Sequence, residues 1–332
     1  MNPTRIMDMA SAFYDSCVLF TASDLGIFAT LAGRESASAS EIAASCGLDI
    51  RGATLLLDAC TALELLVKEG ERYRNTPEAA LFLVPGARGD LSKAIRYNRD
   101  VYAAWQKLPA FVTSGAPVER PQIHLGEDEE RTRAFVHSMH GRALGIGRAV
   151  VPHLDLTGRK KLFDVGGGPG TYSVLIAQAN PQLHCTFLDL PGIVNVANAL
   201  VEQQGMAGRV TSMAGDYHHT DFPKGNDVVI FFGVLHQESP AAIRDLFRRA
   251  YDSLVPGGMV VVLDMMTDAT HTRPRFSALF AVNMALTTEN GWVFSDQELG
   301  GWLTGAGFAG FACRPLPPPM PHWLATAVKP AV

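Results

Sequence analysis

The stretch FFGVLHQESP, Phe231 to Pro240, sets one histidine, His236, behind an apolar run and ahead of three polar residues and a proline. A histidine has a reference pKa near 6.5, so at the mouth of a cleft it can take a proton near neutral pH as a general base. Asp264 closes a second apolar run, VVLDMM, and is the first carboxylate expected to orient that imidazole. A different chemistry is written in KLFDVGGGPGTYSVLIAQ, where Asp164, Gly166, Gly168 and Gly170 fall between a strand and a helix beginning near Thr171. Glycines there let a ligand approach the backbone, and the helix N-terminus offers unpaired N–H groups. The spacing is not that of a dinucleotide fingerprint, G-x-G-x-x-G, whose third glycine would fall on Thr171 or Ser173. Asp189 ends the next strand in TFLDLPG, where an acidic residue can accept both hydroxyls of a ribose.

These residues need a scaffold. From Lys161 onward β-branched runs (KLFDVG, HCTFLDL, VTSMAGD, DVVIFFGVL, MVVVLDMM) alternate with helical stretches. That predicts βαβ units and a mostly parallel sheet covered on both faces. The preceding chain is helical in pattern. Its first thirty residues place apolar side chains at helical spacing; Ser40 then heads a short helix ended by Gly47, and a second helix runs from about Arg51 to Leu66. LVKEGERYRNT reads as a hairpin turning at Glu69–Gly70, which completes a winged-helix pattern. Residues from about Asp90 to Val150 read as helices interrupted by TSGAPVERPQIHLGEDEE. The expected organisation is an α/β domain over 158–332 behind a mostly helical domain over 1–157. Near the end, PLPPPMPHWLATAVKP reads as a proline-stiffened connector and a closing strand.

At 332 residues the chain can hold two cores, and 47% hydrophobic with 18% charged residues describes a globular protein. A net charge of −5 gives no electrostatic reason to expect nucleic acid or an anionic membrane as partner. The winged-helix segment sharpens this. Between Asp24 and Glu78 it carries five basic residues (Arg34, Arg51, Lys68, Arg72, Arg74) against nine acidic ones, the wrong balance for neutralising phosphates. Cys17, Cys46, Cys60, Cys185 and Cys313 are scattered and odd in number, which argues for reduced thiols in a cytoplasm. No apolar run reaches the roughly 18 residues a membrane helix needs, and Asp8, Asp15 and Asp24 break any signal-peptide shape. His218, His219, His236 and Asp216 match no standard metal-site spacing.

The Asp-x-Gly-x-Gly-x-Gly spacing resembles motif I of the class I S-adenosylmethionine-dependent methyltransferases. A carboxylate beside such a loop suits a ligand with an ammonium group, such as the methionyl end of that cofactor, whereas a pyrophosphate gains nothing from it. LGIF, GLDIRG and RYRNTP follow the same family, as do DVGGGPG, LDLPG, GDY, VLHQES, LVPGG and GAGF in the second half. Over nearly its whole length the chain resembles the O-methyltransferases of the caffeate, hydroxyindole and antibiotic-tailoring type. The resemblance implies a Rossmann-like, seven-stranded catalytic domain and an N-terminal dimerisation domain with a winged-helix element. It also implies a homodimer, S-adenosylmethionine released as S-adenosylhomocysteine, a small aromatic acceptor, and no metal.

Carried over residue by residue, the resemblance assigns cofactor binding to Asp164, Gly166, Gly168 and Gly170, to Asp189 and Leu190, and to Gly215 with Asp216 and Tyr217, the last two set to bind and cover an adenine. Phe232 and Gly233 join them ahead of the base. In this family the histidine after the fourth strand deprotonates the acceptor hydroxyl, and His236 holds that place. The aspartate that usually follows it is replaced by Gln237, and the position of a supporting glutamate in NGWVFS falls on Val293. Asp264 is left as the expected partner, with Glu289 nearby.

For the acceptor the resemblance points to Met139 and His140 on FVHSMHGRALG, then to Phe280, Asn283, Met284 and Thr287 in RPRFSALFAVNMALTTENGW, with Phe276 and Trp292 beside them. By periodicity alone the Met and aromatic stripe reads as core, and His137 with His140, three apart, reads as a partly exposed helix face. Methyl transfer to carbon, nitrogen or sulfur on the same fold is the nearest alternative. A winged-helix regulator fails on charge, and a nicotinamide oxidoreductase fails on glycine spacing.

Overall fold

The computed structural model describes residues 2–119, 125–318 and 320–331, so residues 120–124 of the polar interruption lie outside the described residues. The chain divides into two compact units, Met1–Asp100 and Val101–Val332.

The first unit opens with helices α1 (Thr4–Ser11), α2 (Phe13–Asp24) and α3 (Ile27–Thr30), then strand β1 (Ala37–Ser38), α4 (Ala39–Cys46) and α5 (Ile50–Ala62). Strands β2 (Leu66–Glu69) and β3 (Arg72–Asn75), helix α6 (Pro77–Phe82) and the start of α7 (Ser92–Trp105) complete it. The cap of α4 is Ser38, two residues earlier than the expected Ser40. Ser38 Oγ accepts the Glu41 N–H at 3.2 Å while Glu41 accepts the Ser38 N–H at 2.6 Å, a reciprocal capping box that Ser40 has no partner to form. Gly47, at φ 68°, ends α4 as expected, and Asp49 caps α5 by accepting the Gly52 N–H at 2.9 Å. Helix α5 stops at Ala62 rather than Leu66, because Leu66 turns inward as the first residue of β2. Glu69 pairs with Arg72, so the hairpin turns on Gly70–Glu71, one residue later than expected, with Gly70 at φ 61°. Strands pair antiparallel in the order β1-β3-β2 over a core of Ile27, Phe28, Leu57 and Tyr73. Helix α1 buries none of its side chains; Ile6, Met7 and Met9, with Phe13 and Tyr14 of α2, remain exposed.

The second unit continues with α8 (Leu108–Ser114) and α9 (Glu129–Val150), then alternates β4 (Lys161–Val165), α10 (Thr171–Ala179), β5 (His184–Asp189), α11 (Pro191–Gln203), β6 (Val210–Ala214) and β7 (Asn226–Phe232). It ends with α12 (Pro240–Ser253), β8 (Leu254–Asp264), α13 (Arg275–Thr287), α14 (Asp296–Gly305), β9 (Ala309–Pro315) and β10 (Trp323–Val328). The seven strands order as β6-β5-β4-β7-β8-β10-β9, parallel from β6 through β8, with β10 antiparallel to both β8 and β9. Both faces are buried, which explains the unbroken apolar runs. Phe163, Phe231 and Val262 pack with Phe247 of α12 and Leu303 of α14; Leu162, Ile230 and Phe187 face Val174 of α10 and Val201 of α11.

Val150 of α9 joins this second cluster, so α9 belongs with the sheet. The expected boundary near Leu156–Lys160 marks where the sheet begins, whereas the division by contacts falls earlier, within α7. Strand order reverses between β4 and β7, which opens a crevice at their C-terminal ends. Among the described residues no helix is long and apolar enough to cross a membrane.

Candidate active site

At that crevice β7 ends at Phe232, Gly233 turns the chain at φ 69°, and a 3₁₀ turn over Leu235–Gln237 carries His236. His236 therefore sits in a turn beyond the strand rather than in the strand itself. Leu235 is fully buried and anchors the turn. His236 Nδ1 lies 2.6 Å from Asp264 Oδ1, and Asp264 also accepts the Met265 N–H at 2.8 Å. Asp264 is 1% exposed. A carboxylate only accepts, so it places the hydrogen on Nδ1 and leaves the Nε2 lone pair as the basic site. The Phe280 ring meets the imidazole edge-on at 5.1 Å and limits its rotation.

The support expected from NGWVFS arrives by another route. Val293 is buried and apolar and Glu289 is exposed, but the Trp292 N–H donates to His236 O at 2.9 Å and Trp292 Nε1 donates to Glu238 O at 2.7 Å. Trp292 thus clasps the turn from outside, with its ring packed 5.9 Å from Trp302.

In the glycine loop, Gly166, Gly168 and Gly170 all have positive φ. A Cβ on Gly166 would stand 2.7 Å from Val234 Cγ2, while one on Gly168 would meet nothing within 4 Å. The loop is thus tight against the protein at Gly166 and open at Gly168. Asp189 accepts the Gly168 N–H at 2.7 Å and the Leu190 N–H at 2.8 Å, tying loop to strand end. Asp164 is buried beneath the loop and accepts from Ser173 Oγ at 2.8 Å. Burial pushes the Asp164 carboxyl up to about 7, opposed by the Ser173 hydroxyl and reinforced by the charge of Asp189. Asp189 keeps some exposure toward the crevice, yet its close surroundings push it up to about 6 against the two backbone donors. Two carboxyls held together at this cost fit a ligand that brings an ammonium group and hydroxyl donors. They do not fit a pyrophosphate.

Gly215 follows β6, and its N–H donates to Asp189 O at 2.9 Å. Asp216 caps its own turn by accepting the His218 N–H at 2.8 Å. Tyr217 lies against the loop, its Cε1 3.5 Å from where a Gly166 Cβ would stand. Phe232 meets Tyr172 edge-on at 5.2 Å.

Of the residues expected at the acceptor, Phe280 touches the base, and Phe276 stacks on Phe280 at 6.3 Å. Asn283 Oδ1 accepts from Trp105 Nε1 at 2.8 Å, Met284 is buried, and the Thr287 hydroxyl donates to the Asn283 carbonyl at 3.1 Å. Met139 is half-buried on α9, and His140 Nδ1 lies 2.7 Å from the Thr171 hydroxyl at the start of α10, which joins it to the loop helix.

Three further residues join the site in three dimensions. Glu238 is buried beside Tyr217. Arg249 of α12 donates to Tyr217 O at 2.6 Å and to Thr220 O. His322 precedes β10 at the same sheet edge, since Trp323 pairs with Asp264. It is buried with its Nδ1 unpartnered, and burial pushes it down to about 4. Its proline-rich surroundings gave no signal of this, whereas the acid one residue past Gln237 was visible in the sequence.

Among known proteins, the O-methyltransferase dimerisation domain matches residues 7–85 and the O-methyltransferase domain matches residues 106–309. The 3-hydroxy-5-methyl-1-naphthoate 3-O-methyltransferase of Streptomyces sahachiroi is 31% identical over 312 residues, 92% of this chain and 89% of its own. The N,N-dimethyltransferase OxyT of Streptomyces rimosus is 30% identical over 333 residues, 98% of this chain and 96% of its own. Human N-acetylserotonin methyltransferase, solved in complex with S-adenosylmethionine, superposes with a TM-score of 0.89 at 25% identity, over 99% of this chain and 98% of its own. With a family domain matched on each unit and relatives at 30–31% identity over more than nine-tenths of its length, the chain belongs to the O-methyltransferase family and is an S-adenosylmethionine-dependent methyltransferase of small molecules.

Proposed function

We propose that the protein methylates a hydroxyl of a small aromatic metabolite, with His236 as general base and Asp264 holding it. The observation that carries this reading is the 2.6 Å His236–Asp264 contact at the crevice, which leaves Nε2 to receive a proton. When bound, S-adenosylmethionine supplies an electrophilic methyl on its sulfonium. The chain's own residues then position and deprotonate. The loop at Gly166–Gly170 and the carboxyls of Asp164 and Asp189 hold the cofactor, Tyr217 covers its adenine, and α13 presents Phe280 to a flat acceptor. Holding nucleophile and methyl in line contributes up to roughly 7–11 kcal/mol, and a positioned base typically adds about 10²–10⁴-fold. The exposed apolar residues of α1 and α2, within a matched dimerisation domain, support a homodimer assembled through the first unit. Five cysteines, scattered and odd in number, suit a reducing cytoplasm.

The test is turnover of paired hydroxy- and aminoarenes with S-adenosylmethionine, locating the new methyl by NMR. Methylation of the hydroxyl member is expected. Methyl found on ring carbon or on nitrogen, the latter as the name of OxyT illustrates, would instead support the alternative reading.

Cofactor affinity carries its own pH signature. An ammonium and ribose hydroxyls favour ionised carboxyls, and Asp164 and Asp189 protonate below about 7 and about 6 in the unliganded protein. Acidification from pH 8 to 5.5 should therefore weaken S-adenosylhomocysteine binding by about tenfold or more in calorimetry. The unliganded fold responds in the opposite sense. Raised carboxyls contribute stability that is present below the ordinary carboxylate range and lost as pH rises through 6–7. An affinity that stays flat over this window would show that neither carboxyl serves the cofactor.

A further inference from the structure

The usual aspartate after the base is absent, and a carboxylate appears one residue later. We propose that Gln237 and Glu238 are positioning residues for the cofactor: their side chains lock Tyr217 over the glycine loop. This rests on the cofactor reading above.

Tyr217 is held at both ends. Its hydroxyl donates to Glu238 Oε1 at 2.6 Å and accepts from Gln237 Nε2 at 3.0 Å, so the lone pair and the proton are both committed. Its backbone carbonyl accepts from Arg249 at 2.6 Å. Between these anchors the ring lies on the loop at Gly166 and packs 4.7 Å from the His218 ring. Glu238 is 5% exposed, and a buried carboxyl is tolerated only where donors satisfy it. Besides Tyr217 it has His218 Nε2 at 3.2 Å. Its own backbone carbonyl accepts from the Trp292 indole at 2.7 Å, which holds the stretch of backbone that carries the carboxyl. Burial pushes the Glu238 carboxyl up while the Tyr217 and His218 donors pull it down.

Three consecutive residues therefore divide their work. His236 turns to Asp264, while Gln237 and Glu238 turn to Tyr217. The substitution of glutamine for the usual acid does not weaken the base, because neither side chain at 237 nor 238 addresses it. Each would instead set the height of the aromatic cover under which the adenine must fit.

The test is a double-mutant cycle on ligand affinity with Tyr217→Phe and Glu238→Gln, which keep ring and shape while removing the hydroxyl or the charge. Calorimetry uses two probes, S-adenosylhomocysteine and 5′-methylthioadenosine, the second lacking the amino-acid end. Each single variant should bind both probes about 5–20-fold more weakly, and the double variant should be no more than about twofold worse than the poorer single. A purely structural role would lower the melting temperature without this matched loss on both probes. Losses that multiply, or variants that bind like the wild type, overturn the inference while leaving the cofactor reading intact. If Tyr217→Phe unfolds, Gln237→Leu removes the second bond to the same hydroxyl, and it must weaken both probes alike. A wild-type protein that binds neither probe removes the cofactor reading and this inference together.

Discussion

Replacing His236 with alanine should lower kcat by about 10²–10⁴-fold while S-adenosylhomocysteine binds within about twofold of wild type. The split follows from the geometry. The imidazole reaches Asp264 and Phe280, whereas Gly168 bonds to Asp189 and Tyr217 to Glu238, so neither bond runs through the imidazole. The companion variant Asp264→Asn tests the tautomer rather than the base. An amide can present an N–H to Nδ1, which moves the imidazole hydrogen to Nε2 and occupies the site that must accept a proton. A loss of about 10²-fold or more is therefore expected although the ring stays in place, by the same tautomer logic as in hydrolase triads. Single-turnover rates with any acceptor the wild type consumes would check both. Near-full activity in His236→Ala would refute its role as base.

The second large effect lies in the loop. Gly166→Ala should weaken S-adenosylhomocysteine binding by about 10²-fold or more, with only a modest fall in melting temperature. Gly166 sits at φ 68°, where a side chain costs about 1–2 kcal/mol, and its Cβ would stand 2.7 Å from Val234 and 3.5 Å from Tyr217. Neither neighbour yields easily. Val234 is buried next to the base-bearing turn, and Tyr217 is held by three polar contacts. What moves is therefore the loop backbone itself, and with it the open face at Gly168 that the ligand would approach. Gly168→Ala makes the contrast: its Cβ meets no protein atom, so a loss there reports backbone strain and the ligand alone. Equal melting curves and unchanged calorimetry for Gly166→Ala would contradict this account.

How far the site could be read from the sequence depended on the range of the signal. The loop was legible because strand, glycines and helix are contiguous, and Asp189 because a strand end repeats at βαβ spacing. Asp264 could be placed because it closes a run of the same kind as the one before His236. What could not be read was side-chain direction inside a short turn. Gln237 ends a 3₁₀ turn and Glu238 follows it in extended backbone, and nothing local says that both reach Tyr217, some twenty residues earlier. The clasp from Trp292 uses backbone atoms, which no residue type announces. His322 combined burial with an unpartnered nitrogen only once β10 had paired with β8. The cap of α4 was different: Glu41 stands three residues after Ser38, a capping-box spacing already written in the sequence.

The clasp itself has an optical consequence. The Trp292 indole is bonded to the turn that carries the base, stacks 6.4 Å from the imidazole of His271 and lies beside Trp302. Indole emission responds to a hydrogen bond on Nε1 and to a neighbouring imidazole, which quenches more strongly when protonated. A shift of the turn by a fraction of an ångström would thus be read as a change in tryptophan fluorescence. Occupancy of the crevice could then be followed in unlabelled protein, before any acceptor has been identified.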